Sequence, residues 1–187
     1  LQKFVLASSS KPRKEFLKKL GFEFMVLPVE VDEQADARLP PEKAVKRLAL
    51  RKARLAARKA SGIVVGFDSV AAMGQRVYGK PRTKERARVF LSELQGKEHS
   101  FYTGVAAINT ETGKSVVRVS KTRVRMRPMS KKEIGEYLEK DEPLQAAGAY
   151  KIQGEGIGLI ESLRGEYSNV LGVPVAMLIR VLNEVKE

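Results

Sequence analysis

The chain has 187 residues, enough for a single domain that buries roughly 70% of the surface its unfolded form exposes. It is 43% hydrophobic and 30% charged, with a formal net charge of +13, which excludes disordered and collagen-like architectures. Zero cysteines and a lone histidine, His99, exclude disulfide scaffolds, thiolate metal sites and cysteine nucleophiles, leaving hard cations such as Mg²⁺ or Mn²⁺ held by oxygens.

The segment Leu1 to Ser10 is too short in apolar character for a signal peptide and reads as a first strand over 3–7. No apolar run reaches the ~20 residues of a membrane span, so a cytoplasmic protein without membrane contact is expected. The serines Ser8, Ser9 and Ser10 open a helix to about Leu20, stopped by Gly21. Phe22 to Val31 alternates as a second strand, and a polar loop runs to Pro41. Pro40 and Pro41 suit the entry of a helix over 42–60, with Ala44, Val45, Leu48, Ala49, Leu55 and Ala56 in one stripe.

Ile63 to Phe67 reads as a strand buried on both sides, halting at Asp68. A hairpin through Gly74 and Gln75 returns along Arg76 to Tyr78, and a helix covers 83–94. Strands follow near 99–109 and 114–126. Ser130-Lys-Lys-Glu133 is a capping box for a helix to about Lys140. The glycine-rich stretch Leu144 to Gly165 reads as irregular, and Leu171-Gly-Val-Pro174 leads into a last helix to about Val185. Intermixed strands and helices give an α/β class with a mixed sheet.

The charge concentrates in two runs. Arg38 to Lys59 carries nine basic residues, and Lys114 to Arg127 carries six without an acid. In the second, Lys121, Arg123, Arg125 and Arg127 share one strand face by alternation. Such runs attract nucleic acid or nucleotides, and they equally serve as solvated faces that guard strand edges. Aromatic residues are not interleaved with the basic strand, which argues against a platform for stacking single-stranded bases.

Four features bear on chemistry. The turn of Ser8, Ser9 and Ser10, followed by Arg13, combines a helix N-terminus with a guanidinium, as an anionic phosphate requires; it is also an ordinary serine cap. Asp68 ends an apolar strand, where open α/β sheets gather their ligands, or else begins an Asx-turn. Glu30, Asp32 and Glu33 cluster after the second strand, in a site or a solvated loop. Lys80, held by Gly79 and Pro81, can meet a phosphate as a point charge, or be an exposed turn lysine. In the glycine-rich region and its approach, Tyr150, Gln153 and Glu142 offer stacking, an amide and a carboxylate. No Walker or dinucleotide-binding glycine motif occurs. Chemistry alone points to an α/β enzyme of phosphate esters or nucleotides.

Taken in order, the same stretches resemble the Maf family of septum-formation-inhibitor-like nucleoside triphosphate pyrophosphatases. The resemblance rests on Leu6-Ala-Ser-Ser-Ser10 with Arg13, Val31-Asp-Glu33, Lys52-Ala53, Gly66-Phe-Asp-Ser69, Gly79-Lys-Pro81, Tyr102-Thr-Gly104, Ala147-Gly-Ala-Tyr150, Ile152-Gln-Gly154, Tyr167-Ser-Asn-Val170 and Gly172-Val-Pro174. It implies one domain over 1–187, with a mixed, twisted β-sheet flanked by helices and two lobes around a central cleft, like inosine triphosphate pyrophosphatases. It implies hydrolysis of nucleoside triphosphates to monophosphate and pyrophosphate with Mg²⁺ or Mn²⁺, a homodimer, and removal of non-standard nucleotides. Asp68 falls on the proton acceptor or metal ligand and Glu33 on the second acid, which shares the metal. Ser8, Arg13, Lys52, Ser69, Lys80 and Gln153 fall on substrate-binding positions.

Three positions depart from the family pattern. Pro12 stands where the family has a first arginine, Ser69 replaces the usual threonine, and Ala146 replaces a lysine, whose charge Lys151 is placed to supply. The substrate signature is mixed. Ile152-Gln-Gly154 is similar to the subgroup acting on dTTP and UTP, whereas Ser100-Phe-Tyr-Thr-Gly104 and Leu144-Gln-Ala-Ala-Gly148 are similar to the subgroup acting on 7-methyl-GTP. A neutral amide at Gln153 favours a pyrimidine over a positively charged methylated purine. A basic nucleic-acid-binding module without turnover is the alternative from another class.

Overall fold

The computed structural model describes residues 3–32, 36 and 38–187, so Glu33 lies outside the described residues. Among the described residues a mixed sheet of seven strands runs in the order β2-β1-β3-β5-β6-β7, with β4 also paired to β3. The strands are β1 (Phe4–Ala7), β2 (Phe24–Val26), β3 (Ile63–Met73), β4 (Arg76–Tyr78), β5 (Glu98–Asn109), β6 (Ser115–Met126) and β7 (Ile160–Arg164). The helices are α1 (Lys11–Lys19), α2 (Pro41–Ala57), α3 (Lys84–Leu94), α4 (Lys131–Asp141), the single turn α5 (Tyr167–Val170) and α6 (Val175–Glu184). β1 pairs in parallel with β2 and β3, while the β3/β4 and β6/β7 pairs are antiparallel. No helix among the described residues is long and apolar enough to cross a membrane.

The chain forms two compact units, one of Leu1–Asp68, Thr103–Ser120 and Gly172–Glu187, the other of Ser69–Tyr102 and Lys121–Leu171. Their boundaries fall inside β3, β5 and β6. In the first unit strand alternation sorts the sheet into two faces. Phe4 and Leu6 of β1 and Ile63, Val65 and Phe67 of β3 join Leu17 of α1 and Leu178, Val181 and Leu182 of α6 in one core cluster. Val5, Ala7 and Val64, from the intervening positions, pack with Ala56 of α2.

The stripe that faces the sheet from α2 is narrow. Ala49, Ala53 and Ala56 are fully buried there, whereas Leu55 of the expected stripe is only half-buried. Small residues are required because helix and strand backbones nearly touch. A Cβ at Gly66 would lie 2.3 Å from the Ala49 carbonyl oxygen, and one at Gly104 would lie 2.2 Å from that of Val45.

The second unit packs α3, α4 and the turns around 147–159 over a core that includes Tyr78, Phe90, Leu91, Phe101, Met126, Tyr137 and Tyr150. On β6, exposed Lys121, Arg123 and Arg125 alternate with buried Thr122, Val124 and Met126, as the spacing predicts, while Arg127, expected on the same face, lies past the end of the strand and is half-buried. The capping box of α4 is present, with Ser130 and Glu133 each accepting from the other's backbone N–H. A hydrogen bond from the Ser130 backbone, and then one from Arg127, pull the Glu133 pKa down to about 2.

Three expectations need correction. β2 is three residues long rather than ten, because β1 offers only four residues to pair with and Pro28 has no N–H to extend the ladder. β3 does not stop at Asp68. It continues to Met73, since Ala71, Ala72 and Met73 find partners in β4. Within the stretch expected to be irregular, Ile160–Arg164 forms an edge strand on β6, bent by a register shift between Arg125 and Met126.

Candidate active site

Where β1 ends, its parallel neighbour β3 runs on. The register pairs Ala7 with Gly66, so Ser8 leaves the sheet level with Phe67 and one residue before Asp68. This is the carboxyl end of a parallel strand followed by a helix, a common ligand position in open α/β sheets. Because β3 continues, Asp68 is a mid-strand residue and not a turn residue, which removes the Asx-turn reading.

Alternation decides what each neighbour meets. Gly66 faces α2, and Asp68, two residues on, faces the same way. The close approach of α2 at Gly66 brings Lys52 over the strand, where its Nζ lies 2.5 Å from Asp68 Oδ1. The two side chains are 17% and 10% exposed. A carboxylate this buried is costly without a counter-charge, and Lys52 supplies one.

Phe67 points to the other face, toward α1. The first turn of α1 is capped by Ser10, whose Oγ accepts from the Arg13 backbone N–H, and Pro12 sits in the first turn, where the missing N–H costs nothing. Arg13 is 9% exposed. Its Nε donates to the Gly172 carbonyl at 2.9 Å, its Nη1 donates to Ser8 Oγ at 2.8 Å, and its guanidinium lies 5.0 Å from the centre of the Phe67 ring. Burial pulls its pKa down to about 10, opposed by the negative charge of Asp68. Ser8 Oγ also accepts from the Ser10 N–H. Ser8, Arg13, Lys52 and Asp68 thus come from four segments and belong to one electrostatic cluster in the first unit.

Three further candidates, Ser69, Lys80 and Gln153, belong to the second unit. Ser69 is half-buried at the next position of β3, Lys80 is exposed immediately after β4, and Gln153 is exposed in the turn before β7. Gly79 holds that segment by accepting from the Gly148 N–H. Tyr150, expected to stack on a base, is instead a core residue, 3% exposed and hydrogen-bonded to His99 at 2.8 Å. Burial in the same core lowers the His99 pKa to about 4, which leaves it neutral and withdrawn from acid–base work. Lys151 does not replace the charge missing at Ala146, because its Nζ is tied to the carbonyl and carboxylate of Asp141.

Two partners of the cluster escaped the sequence reading, the Phe67 ring and the Gly172 carbonyl. The alternation of β3 already put Phe67 opposite Asp68. Nothing local signals Gly172, which lies 159 residues from Arg13.

Asp68 offers hard oxygen ligands of the kind Mg²⁺ and Mn²⁺ take. Among the described residues no group of three acidic or histidine side chains forms a cage. Mg²⁺ is commonly bound through one or two carboxylates together with substrate phosphates, and Asp68 has the chemistry to be one of them.

A protein-family model described as Maf-like protein matches residues 3–185, spanning both units. A relative from Pelotomaculum thermopropionicum named dTTP/UTP pyrophosphatase is 40% identical over 185 residues, covering 98% of this chain and 97% of that protein. Another, from Nitrosococcus oceani and named 7-methyl-GTP pyrophosphatase, is 38% identical over 182 residues, covering 96% of this chain and 92% of its own. Among solved structures, the Ham1 protein of Staphylococcus aureus is similar in fold, with a TM-score of 0.50 at 14% identity over all of both chains.

Proposed function

This chain belongs to the Maf-like protein family, and from that premise we propose that it is a nucleoside triphosphate pyrophosphatase acting on UTP and dTTP. The observation that carries the reading is the cluster of Asp68, Lys52, Arg13 and Ser8, a carboxylate beside an ammonium with a buried guanidinium near them. A triphosphate needs cations along its chain, and its hydrolysis needs a group to take a proton from water.

In the proposed reaction, water attacks the α-phosphorus, the bond from that phosphorus to the α–β bridging oxygen breaks, and pyrophosphate leaves. Asp68 orients the water and accepts its proton. Lys52 offsets the charge that builds on the phosphate oxygens, Arg13 binds a phosphate oxyanion alike in the bound substrate and the transition state, and Ser8 holds Arg13 in place while offering a hydroxyl. Ser69 and Lys80, which fall on substrate-binding positions of the family, are proposed as phosphate contacts, with Lys80 meeting the leaving group. Asp68 and Glu33 would hold Mg²⁺ or Mn²⁺, which neutralises phosphate charge when bound.

Gln153 is proposed to read the base. Its neutral amide pairs with a pyrimidine edge and has no charge to attract a methylated purine, and the 40% identical relative carries the corresponding name. A cytoplasmic homodimer is part of the same proposal.

The test is incubation with UTP, dTTP, 7-methyl-GTP and the purine triphosphates in Mg²⁺ or Mn²⁺, with products separated by chromatography. Monophosphate and pyrophosphate from UTP and dTTP are expected. A diphosphate with orthophosphate overturns the bond assignment, and salt-sensitive RNA or DNA binding without turnover overturns the enzyme reading.

A further inference from the structure

An arginine that must meet a phosphate loses side-chain freedom unless the fold holds it beforehand, and a preset guanidinium binds with less entropic loss. Arg13 is held on three sides. Its guanidinium carbon lies over the Phe67 ring, 5.0 Å from the ring centre, the Gly172 carbonyl accepts from Nε at 2.9 Å, and Ser8 Oγ accepts from Nη1 at 2.8 Å. The two hydrogen bonds fix the plane of the group, and the ring supports it.

Both less obvious holders are placed by their backbones. Phe67 is 1% exposed and presents its ring to α1 because Gly66 and Asp68 occupy the α2 face of the strand. Gly172 adopts a left-handed φ of 80° in the turn between α5 and α6, a conformation that disfavours residues with a Cβ. That turn links the last segment of the chain to the first helix.

We propose that Phe67 and Gly172 are positioning residues that preset the Arg13 guanidinium for an oxyanion of the phosphate chain. The inference rests on the phosphate-binding role of Arg13 proposed above and adds the residues through which the fold controls it. It predicts that the C-terminal turn tunes triphosphate affinity without touching substrate.

The experiment is a double-mutant cycle on the full chain with UTP, below the unfolding midpoint of every variant. Phe67→Leu keeps much of the apolar volume and removes the ring face. Gly172→Val drives the turn out of the left-handed region. Each is expected to raise KM for UTP at least ~5-fold with kcat within ~3-fold, and to raise KM less than ~2-fold further in an Arg13→Ala background. A KM increase of equal size in both backgrounds shows a general structural effect and overturns the inference, as does an unchanged KM in Phe67→Leu. Should Gly172→Val fail to fold, Phe67→Leu decides alone. If Arg13→Ala itself leaves KM unchanged, the phosphate role of Arg13 fails and the positioning falls with it. If Arg13→Ala raises KM and no coupling is found, only the positioning fails.

Discussion

Replacing Asp68 by asparagine keeps the side-chain shape and removes its charge. Two effects compete in any loss of activity, a lost catalytic group and a lost fold. The structure sets the second. Asp68 and Lys52 are 10% and 17% exposed and lie 2.5 Å apart. Breaking a fully buried pair costs about 3–5 kcal/mol, but here both groups retain some solvent and the asparagine oxygen still accepts from Lys52, so about 1–3 kcal/mol is expected. For a chain of this length that lowers Tm by roughly 2–12 °C.

A domain with even about 5 kcal/mol of stability remains more than ~90% folded after such a loss. Unfolding therefore removes little activity at 25 °C. Loss of a general base lowers kcat by at least ~10²-fold, about 2.7 kcal/mol in the barrier. The assay is pyrophosphate release from UTP at saturation, with denaturant unfolding on the same preparation. A kcat within ~10-fold of the wild type refutes the assignment of Asp68 as proton acceptor, whatever happens to Tm.

The Gly66→Ala change tests how α2 is seated. The new Cβ would lie 2.3 Å from the Ala49 carbonyl oxygen and 2.7 Å from the Ala53 nitrogen, so the helix must retreat by about 1 Å to restore van der Waals contact. Thermal unfolding should show about 1–3 kcal/mol of destabilisation, and UTP turnover should drop as Lys52 leaves Asp68; an unaltered Tm contradicts the close approach. For His99 the folded pKa of about 4 lies below the ordinary value near 6.5, so between those values the unfolded chain binds more protons and stability falls as pH falls. His99→Phe should flatten the pH dependence of stability between 6.5 and 4, where the wild type loses up to about 3 kcal/mol, and an identical slope in both proteins would sink the reasoning.

Local patterns in the sequence determined much of this protein. Ser10 and the Ser130/Glu133 box mark helix starts because caps are built within a few residues. Periodicity gives the alternation of β6 and all of the α2 stripe except Leu55, and Asp68, Lys52, Arg13 and Ser8 stand out as candidates by their chemistry and by their order in a known family. The extent of β3 past Asp68, the brevity of β2 and the edge strand β7 were not legible in the sequence. Each depends on which backbone lies alongside, β4, β1 and β6 respectively, and no local propensity encodes that neighbour.

Tertiary structure alone also decided the partners of the charged groups. Tyr150 has the chemistry to stack on a base, yet the packing of α3 and α4 buries it beside His99. Lys151 has the charge missing at Ala146, yet Asp141 takes it. Arg13 meets Gly172 because the end of the chain folds back beside its beginning. Sequence limits which side chains are able to hold a charge or a phosphate; which of them meet is decided by non-local packing, because a buried charge persists only where distant segments supply its counter-charge and hydrogen bonds.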